Sequence, residues 1–146
     1  MLHLEEMIAK QLIQPRTTNG GFNSARLDLD EAHMAYIVVQ LTQAVGHATL
    51  LTVQRATDDA GDAVLVNNVK IYANESTAAG DANVRQADAL NYTVDNAISN
   101  KVVIFQIDPA SLGGTNNQVR IVVADSARAT NFASIMGYIV PARYSA

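Results

Sequence analysis

The stretch Gln118-Val119-Arg120-Ile121-Val122-Val123 decides the fold class. In an extended chain Val119, Ile121 and Val123 fall on one side and Gln118 and Arg120 on the other, because successive side chains of a strand point to opposite faces. A helix would scatter the same three residues, since positions two apart sit roughly 160° apart around its axis. Their β-branched side chains are stiff at χ1 and suit a pleated surface. The segment therefore reads as a strand with one apolar face.

The strand assignment spreads outward from there. Just upstream lies Asp108-Pro109-Ala110-Ser111-Leu112-Gly113-Gly114. It has an N-capping Asp, a Pro at the first helical position and Gly at the stop, which predicts one helical turn. That turn joins the strand Gln118–Ala124 to an earlier one, Lys101–Ile107, and Phe132–Val140 supplies another downstream. Leu51 and Val53 alternate with Thr52 and Gln54, and Asp58-Asp59-Ala60-Gly61-Asp62 is a polar reversal after them. Val64 and Val66 share one phase whereas Val69 and Ile71 share the other. A β-bulge or tight hairpin is expected at Asn67-Asn68, where Asn accepts the left-handed conformation more readily than most residues.

Nearer the N-terminus, Thr17-Thr18-Asn19-Gly20-Gly21 is turn chemistry, and Leu27 and Leu29 alternate with Asp28 and Asp30. The segment Asn74–Ala89, rich in Ala, Asp, Asn, Ser, Thr and Gly, predicts a long loop. About eight short strands separated by turn signals, with no βαβ rhythm, predict an all-β fold: an antiparallel β-sandwich, jelly-roll-like.

One element is expected to differ. Leu4, Ile8 and Leu12 recur every four residues with Glu5, Glu6, Lys10 and Gln11 between them, so Leu2–Ile13 reads as a short amphipathic helix stopped by Pro15. About three helical turns are marginal in water alone. Burying the three apolar side chains would gain roughly 5–8 kcal/mol before ordering entropy is subtracted. The expected organisation is a helical arm over residues 1–16, docked on a neighbouring subunit or on the assembly it attaches to, followed by a sandwich domain over residues 17–146; the rival is a helix packed on its own sandwich, closing one open end of the core.

Composition narrows the function. At 146 residues the chain can bury roughly 70% of its unfolded surface in one core. It has no cysteine, which removes disulfides, thiolate catalysis and Cys-type zinc sites together. A net charge of -4 without a long basic run offers nothing to neutralise phosphates, so no nucleic-acid partner is expected. No apolar run is long enough for a membrane span, and the acidic start Glu5-Glu6 is unlike a secretory leader. Charged residues are only 16% of the chain against 49% hydrophobic, a lean complement for a free monomer.

No constellation supports catalysis or a cofactor. His3, His33 and His47 have no metal-ligand spacing, and isolated histidines are mostly structural. Asp58, Asp59 and Asp62 lack the ligand spacing of a calcium loop, and Asp28 with Asp30 more plausibly marks a wet face than an acid/base pair. No serine lies in a nucleophile elbow, and neither Gly20-Gly21 nor Gly113-Gly114 leads into a phosphate loop. Without Trp, a sugar-stacking platform would have to use Tyr36, Tyr72, Tyr92, Tyr138 or Tyr144.

What remains is packing against other proteins. Met34–Leu41 and Lys101–Ile107 are apolar on both faces, and a two-layer sandwich covers one face of each strand. The other must meet a helix, an arm or a second subunit, so a homo-oligomer is expected. The candidate interface residues are Leu4, Ile8 and Leu12 on the arm, Tyr36, Val38 and Ile104 on the double-faced strands, and Tyr144 near the C-terminus.

The leader Leu2-His3-Leu4, the strand Ala35-Tyr36-Ile37-Val38-Val39, and Ile107-Asp108-Pro109-Ala110-Ser111-Leu112 leading into Val119–Val123 resemble the small auxiliary, or decoration (cement), proteins of tailed-bacteriophage heads. The ending Gly137-Tyr138-Ile139-Val140-Pro141-Ala142-Arg143-Tyr144 is similar as well. The resemblance spans nearly the whole chain and rests on pattern. It implies a β-sandwich that binds the major capsid protein lattice on the outer surface of the virion head, often as a trimer, and stabilises the shell without catalysis. Two other readings stand beside it: a tail, collar or major coat component, and a carbohydrate-binding sandwich, which would need exposed aromatics in one groove.

Overall fold

A computed structural model of the protein describes residues 7–44, 46–57, 60–64, 69–74, 82–94, 100–113 and 115–142. Among them the strands, in chain order, are β1 (Ile8–Thr17), β2 (Phe22–Asn23), β3 (Leu27–Asp28), β4 (Ala32–Thr42), β5 (Thr49–Thr57) and β6 (Ala60–Val64). There follow β7 (Lys70–Ala73), β8 (Val84–Arg85), β9 (Asn91–Val94), β10 (Asn100–Ile107), β11 (Gln118–Val123) and β12 (Phe132–Pro141).

The two halves of the chain pair concentrically and antiparallel: β1 with β12, β2 and β3 with β11, β4 with β10, and β5 with β9. A long hairpin wound on itself would pair in this way. Wrapping divides it into two sheets, β1-β12-β4-β10-β7-β8 and β2-β11-β5-β6, with β3 also on β11 and β9 also on β5. This interleaving is that of a jelly roll.

The core lies between the sheets. Ile37 and Val39 of β4, Phe105 of β10 and Ile135 of β12 face Leu51 and Val53 of β5 and Ile121 of β11, all fully buried. Val119 and Val123 join them, whereas Gln118, Arg120 and Val122 on the other face are partly exposed, as the alternation requires. Leu27 and Leu29 are buried while Asp28 and Asp30 face water. The expected helical turn is a 3-10 turn, Pro109–Leu112, in which Asp108 Oδ1 accepts the Ala110 N–H at 3.0 Å and Gly113 takes φ 74°.

The helix predicted for Leu2–Ile13 is not found. Residues 1–6 lie outside the described residues, and from Ile8 the chain is β1, an edge strand hydrogen-bonded along β12. A spacing of four is also a multiple of two, so Ile8 and Leu12 satisfy a strand face as well as a helical stripe. Two register shifts fall along it, between Gln11 and Ile13 and between Ile13 and Arg16, the second spanning Pro15. An edge strand tolerates a proline because one side of its ladder has no partner to serve. Leu12 is 4% exposed, so this segment is sewn into the sandwich from Ile8 onward.

The long loop expected over Asn74–Ala89 is interrupted. Val84–Arg85 pairs with β7, and Ala89 bridges to Val69. Asn91–Val94, rich in polar residues, is a strand on the edge of β5. Thr57 stands opposite Ala60 across the β5–β6 hairpin, consistent with the predicted reversal, while Asp58-Asp59 and Asn67-Asn68 lie outside the described residues.

One end of the sandwich is closed by polar contacts. The Thr18 N–H donates to the Asn131 carbonyl at 2.8 Å, and the Thr18 hydroxyl donates to Ser126 Oγ at 2.7 Å. Asn131 Oδ1 accepts the Ala44 N–H at 2.7 Å. Thr18, Ser126 and Asn131 are all buried, so these bonds meet the requirement that buried polar groups be partnered.

Candidate functional site

The outward face of the first sheet follows from strand register. Tyr138 of β12 stands opposite Tyr36 of β4, which stands opposite Gln106 of β10. In the next row Met136, Val38, Ile104 and Tyr72 run across four strands in turn. The row ends on β8, where Arg85 pairs with Tyr72 and places its guanidinium carbon 5.4 Å from the ring centroid. Such a cation over a ring is favourable because the aromatic face is electron-rich. Arg85 also forms an ion pair with Asp88.

Apart from the exposed Arg85, the side chains of these rows are half-buried by their neighbours on the sheet, and no described strand packs across them. A third row, Ser134, Gln40 and Val102, is more polar, and Phe132 stands 47% exposed at the end of β12. The surface is thus apolar in its middle and polar at one margin.

Of the residues predicted for an interface, the fold brings Tyr36, Val38 and Ile104 together here, Val38 directly opposite Ile104. Ile8 is set apart: it pairs with Ile139 at the sheet edge and is 49% exposed. Leu12 is in the domain's own core. Leu4 and Tyr144 lie outside the described residues. Met136, Tyr138 and Tyr72 complete the patch and were not singled out as interface residues. Their signal was available in β12, where Met136 and Tyr138 hold the phase opposite to the buried Ile135 and Ile139.

The outward face of the second sheet differs. Thr52, Gln54, Thr93 and Arg120 share it with the apolar Val122 and Leu50, and Arg120 Nε donates to Gln54 Oε1 at 3.0 Å. At the end of the sandwich near β3, Asp28, Asp30, Glu31 and Lys10 line an open pocket of about 340 Å³. Two of the carboxylates there serve local structure: Asp28 Oδ1 accepts the Asp30 N–H at 2.9 Å, and Asp30 Oδ1 accepts from Asn117 Nδ2 at 2.8 Å. His33 is exposed on β4 and His47 is half-buried in a turn, while His3 lies outside the described residues. Among the described residues no group of three or more His, Cys, Asp or Glu could hold a metal ion.

Asp125, at the polar end, has its carboxyl held below the usual value of 3.8, because the N–H groups of Gly20 and then Ala127 donate to it. Both bonds are 2.7 Å long and favour the charged form.

No protein-family model matches the chain, and no curated protein matches it. Among solved structures, the SPBc2 prophage-derived protein YomS is similar in fold, with a TM-score of 0.54 over 91% of each chain at 8% identity. Structures of infectious bursal disease virus, Gt and Gx strains, align at TM-scores of 0.23 and 0.22 and 12% identity. They cover 95% and 93% of this chain and 37% and 38% of theirs.

Proposed function

We propose that this chain is a virion structural protein, a decoration or cement protein that binds the major capsid protein lattice of a phage head and stabilises the shell. The observation that carries the reading is the outward face of the first sheet, where Tyr36, Val38, Ile104, Met136 and Tyr138 adjoin with no described strand over them. Single exposed apolar residues are ordinary, but a contiguous patch marks a place where another molecule sits. Tyr and Met are also the residue types enriched at the centres of protein interfaces. The prophage origin of the similar fold supports a phage setting. The reading includes self-association, a trimer being favoured, and assigns the chain no catalytic step and no cofactor.

Three tyrosines on one sheet face favour a second reading, a carbohydrate platform. A sugar needs hydrogen-bonding side chains between its stacking rings, and here Val38, Ile104 and Met136 occupy those places. A protein surface suits this patch better.

The test is cosedimentation of the purified chain with phage heads that lack it. Saturable binding to heads, lost in Val38→Asp and Ile104→Asp variants that remain folded, is the expected result. Recovery with tails or collars instead would move the chain to that part of the virion. Binding to neither, with retention on a polysaccharide column, would establish the carbohydrate reading.

A further inference from the structure

We infer that Asn19-Gly20 is a latent deamidation site, held closed in the folded protein by Asp125. The chain contains a single Asn-Gly pair, and it lies in the exposed turn after β1. Asn followed by Gly is the pair most open to succinimide formation, because a residue without Cβ leaves its backbone nitrogen accessible to the preceding side chain. The Gly20 nitrogen attacks Asn19 Cγ and forms a C–N bond. The Cγ–Nδ2 bond then breaks and ammonia leaves, carrying the proton that the amide gave up. Water opens the ring at either carbonyl, leaving an aspartyl or an isoaspartyl residue. No oxidant or other reactant is required.

The fold blocks the first of these steps in two ways. The attacking nitrogen is the one whose N–H donates to Asp125 Oδ1 at 2.7 Å, so its proton is engaged and its direction fixed. Forming the amide anion beside a carboxylate also places two negative charges together. The carboxylate is no substitute base, because its pKa is lowered and the amide is a far weaker acid. The backbone on either side is anchored as well. Thr18 is fully buried and bonded to Ser126 and Asn131, the Gly21 N–H donates to the Thr18 carbonyl at 3.1 Å, and the Asn19 N–H donates to Thr17 Oγ1 at 3.1 Å. The rotation that brings Asn19 Cγ onto the Gly20 nitrogen is thereby resisted. Damage would lengthen the backbone of this turn by one methylene wherever isoaspartate forms, and would add a negative charge beside Asp125.

The experiment compares folded wild-type protein, wild-type protein unfolded in urea, and folded Asp125→Ala in the same mildly alkaline buffer. Peptide mass mapping and isoaspartate detection at position 19 follow the reaction. Folded wild-type protein should react about tenfold or more slowly than the unfolded chain, the factor that losing one charge-assisted hydrogen bond sets on a barrier. Asp125→Ala should recover most of that difference, and Asn19→Gln should give no product at this position. Equal rates in folded and unfolded wild-type protein would overturn the inference. So would a folded Asp125→Ala that stays as slow as the wild type. Should Asp125→Ala fail to fold, Asp125→Asn keeps an acceptor without the charge. It is expected to react faster than folded wild type, and an unchanged rate would count against the role given to Asp125.

Discussion

The two sheets of this sandwich bury similar inward faces and present opposite outward ones. On the first sheet the rows across β12, β4 and β10 place Met136, Val38 and Ile104 side by side, next to Tyr138 and Tyr36. On the second sheet the corresponding rows place Arg120 beside Gln54, Thr52 between Val122 and Asn91, and Leu50 beside Thr93. Both faces obey the same alternation and the same backbone geometry, so strand formation cannot account for the difference. On the second face Val122 and Leu50 are separated by polar side chains, whereas the first carries an unbroken apolar row that gains more by being covered. The proposed partner surface rests on this asymmetry.

The sharpest way to break that comparison uses neighbouring residues on one strand. Val39→Asp places an unpaired carboxylate in the core and should cost about 3–5 kcal/mol, leaving little folded protein. Val38→Asp, one residue away on the outward face, should cost about 1 kcal/mol or less yet abolish association. Thr52→Asp on the second sheet should change neither. Chemical denaturation with light scattering reads all three, and loss of association in Thr52→Asp but not in Val38→Asp would reverse the assignment of faces.

The next effect concerns the edge of the first sheet. Leu12→Ala removes a side chain that is 4% exposed and should destabilise the monomer by about 2–3 kcal/mol. An attachment arm would show no such loss, so an unchanged denaturation midpoint would contradict the placement of β1. A smaller effect is expected at Gly137, on the inward side of β12. A Cβ there would lie 3.0 Å from Leu27 Cδ2 and 3.2 Å from Leu12 Cδ1, so Gly137→Ala should cost about 1–2 kcal/mol through overpacking. Pairing it with Leu27→Ala should recover part of that loss, since the small residue yields the space.

The smallest effect is at the polar end. Folding lowers the Asp125 pKa, so its contribution is present above the ordinary value of 3.8 and is lost as pH falls through the lower folded value. Asp125→Asn should therefore melt lower than the wild type at neutral pH, and the gap should narrow in acid. A gap that widened in acid would contradict the sign of the shift.

Much of the sandwich was legible from particular residues. The strands Lys101–Ile107, Gln118–Ala124 and Phe132–Val140 appear within one residue of their predicted bounds, because their alternation or unbroken apolar run is backed by β-branched residues. The turn at Asp108-Pro109 was legible for a different reason, since its cap and its proline act locally. β1 was misread as a helix because Leu4, Ile8 and Leu12 are four apart, a spacing common to both periods. β8 (Val84–Arg85) and β9 (Asn91–Val94) are not predicted, because two or four residues in a mostly polar setting are too few to establish a period, and only the edges of β7 and β5 make strands of them. Within the candidate surface, Tyr36, Val38 and Ile104 were found from strands apolar on both faces. Met136 and Tyr138 share that face through the pairing of β12 with β4, a contact between distant segments.

By itself, then, the sequence determined the class of fold, the inward face of each long strand and the absence of cysteine chemistry, because alternation and composition are properties of neighbouring residues. Only the tertiary structure decided that β1 is a strand, that the halves pair concentrically, and which outward side chains form one surface. Those outcomes depend on hydrogen bonds and contacts between residues far apart in the chain, and a strand's own residues do not encode which edge it will meet.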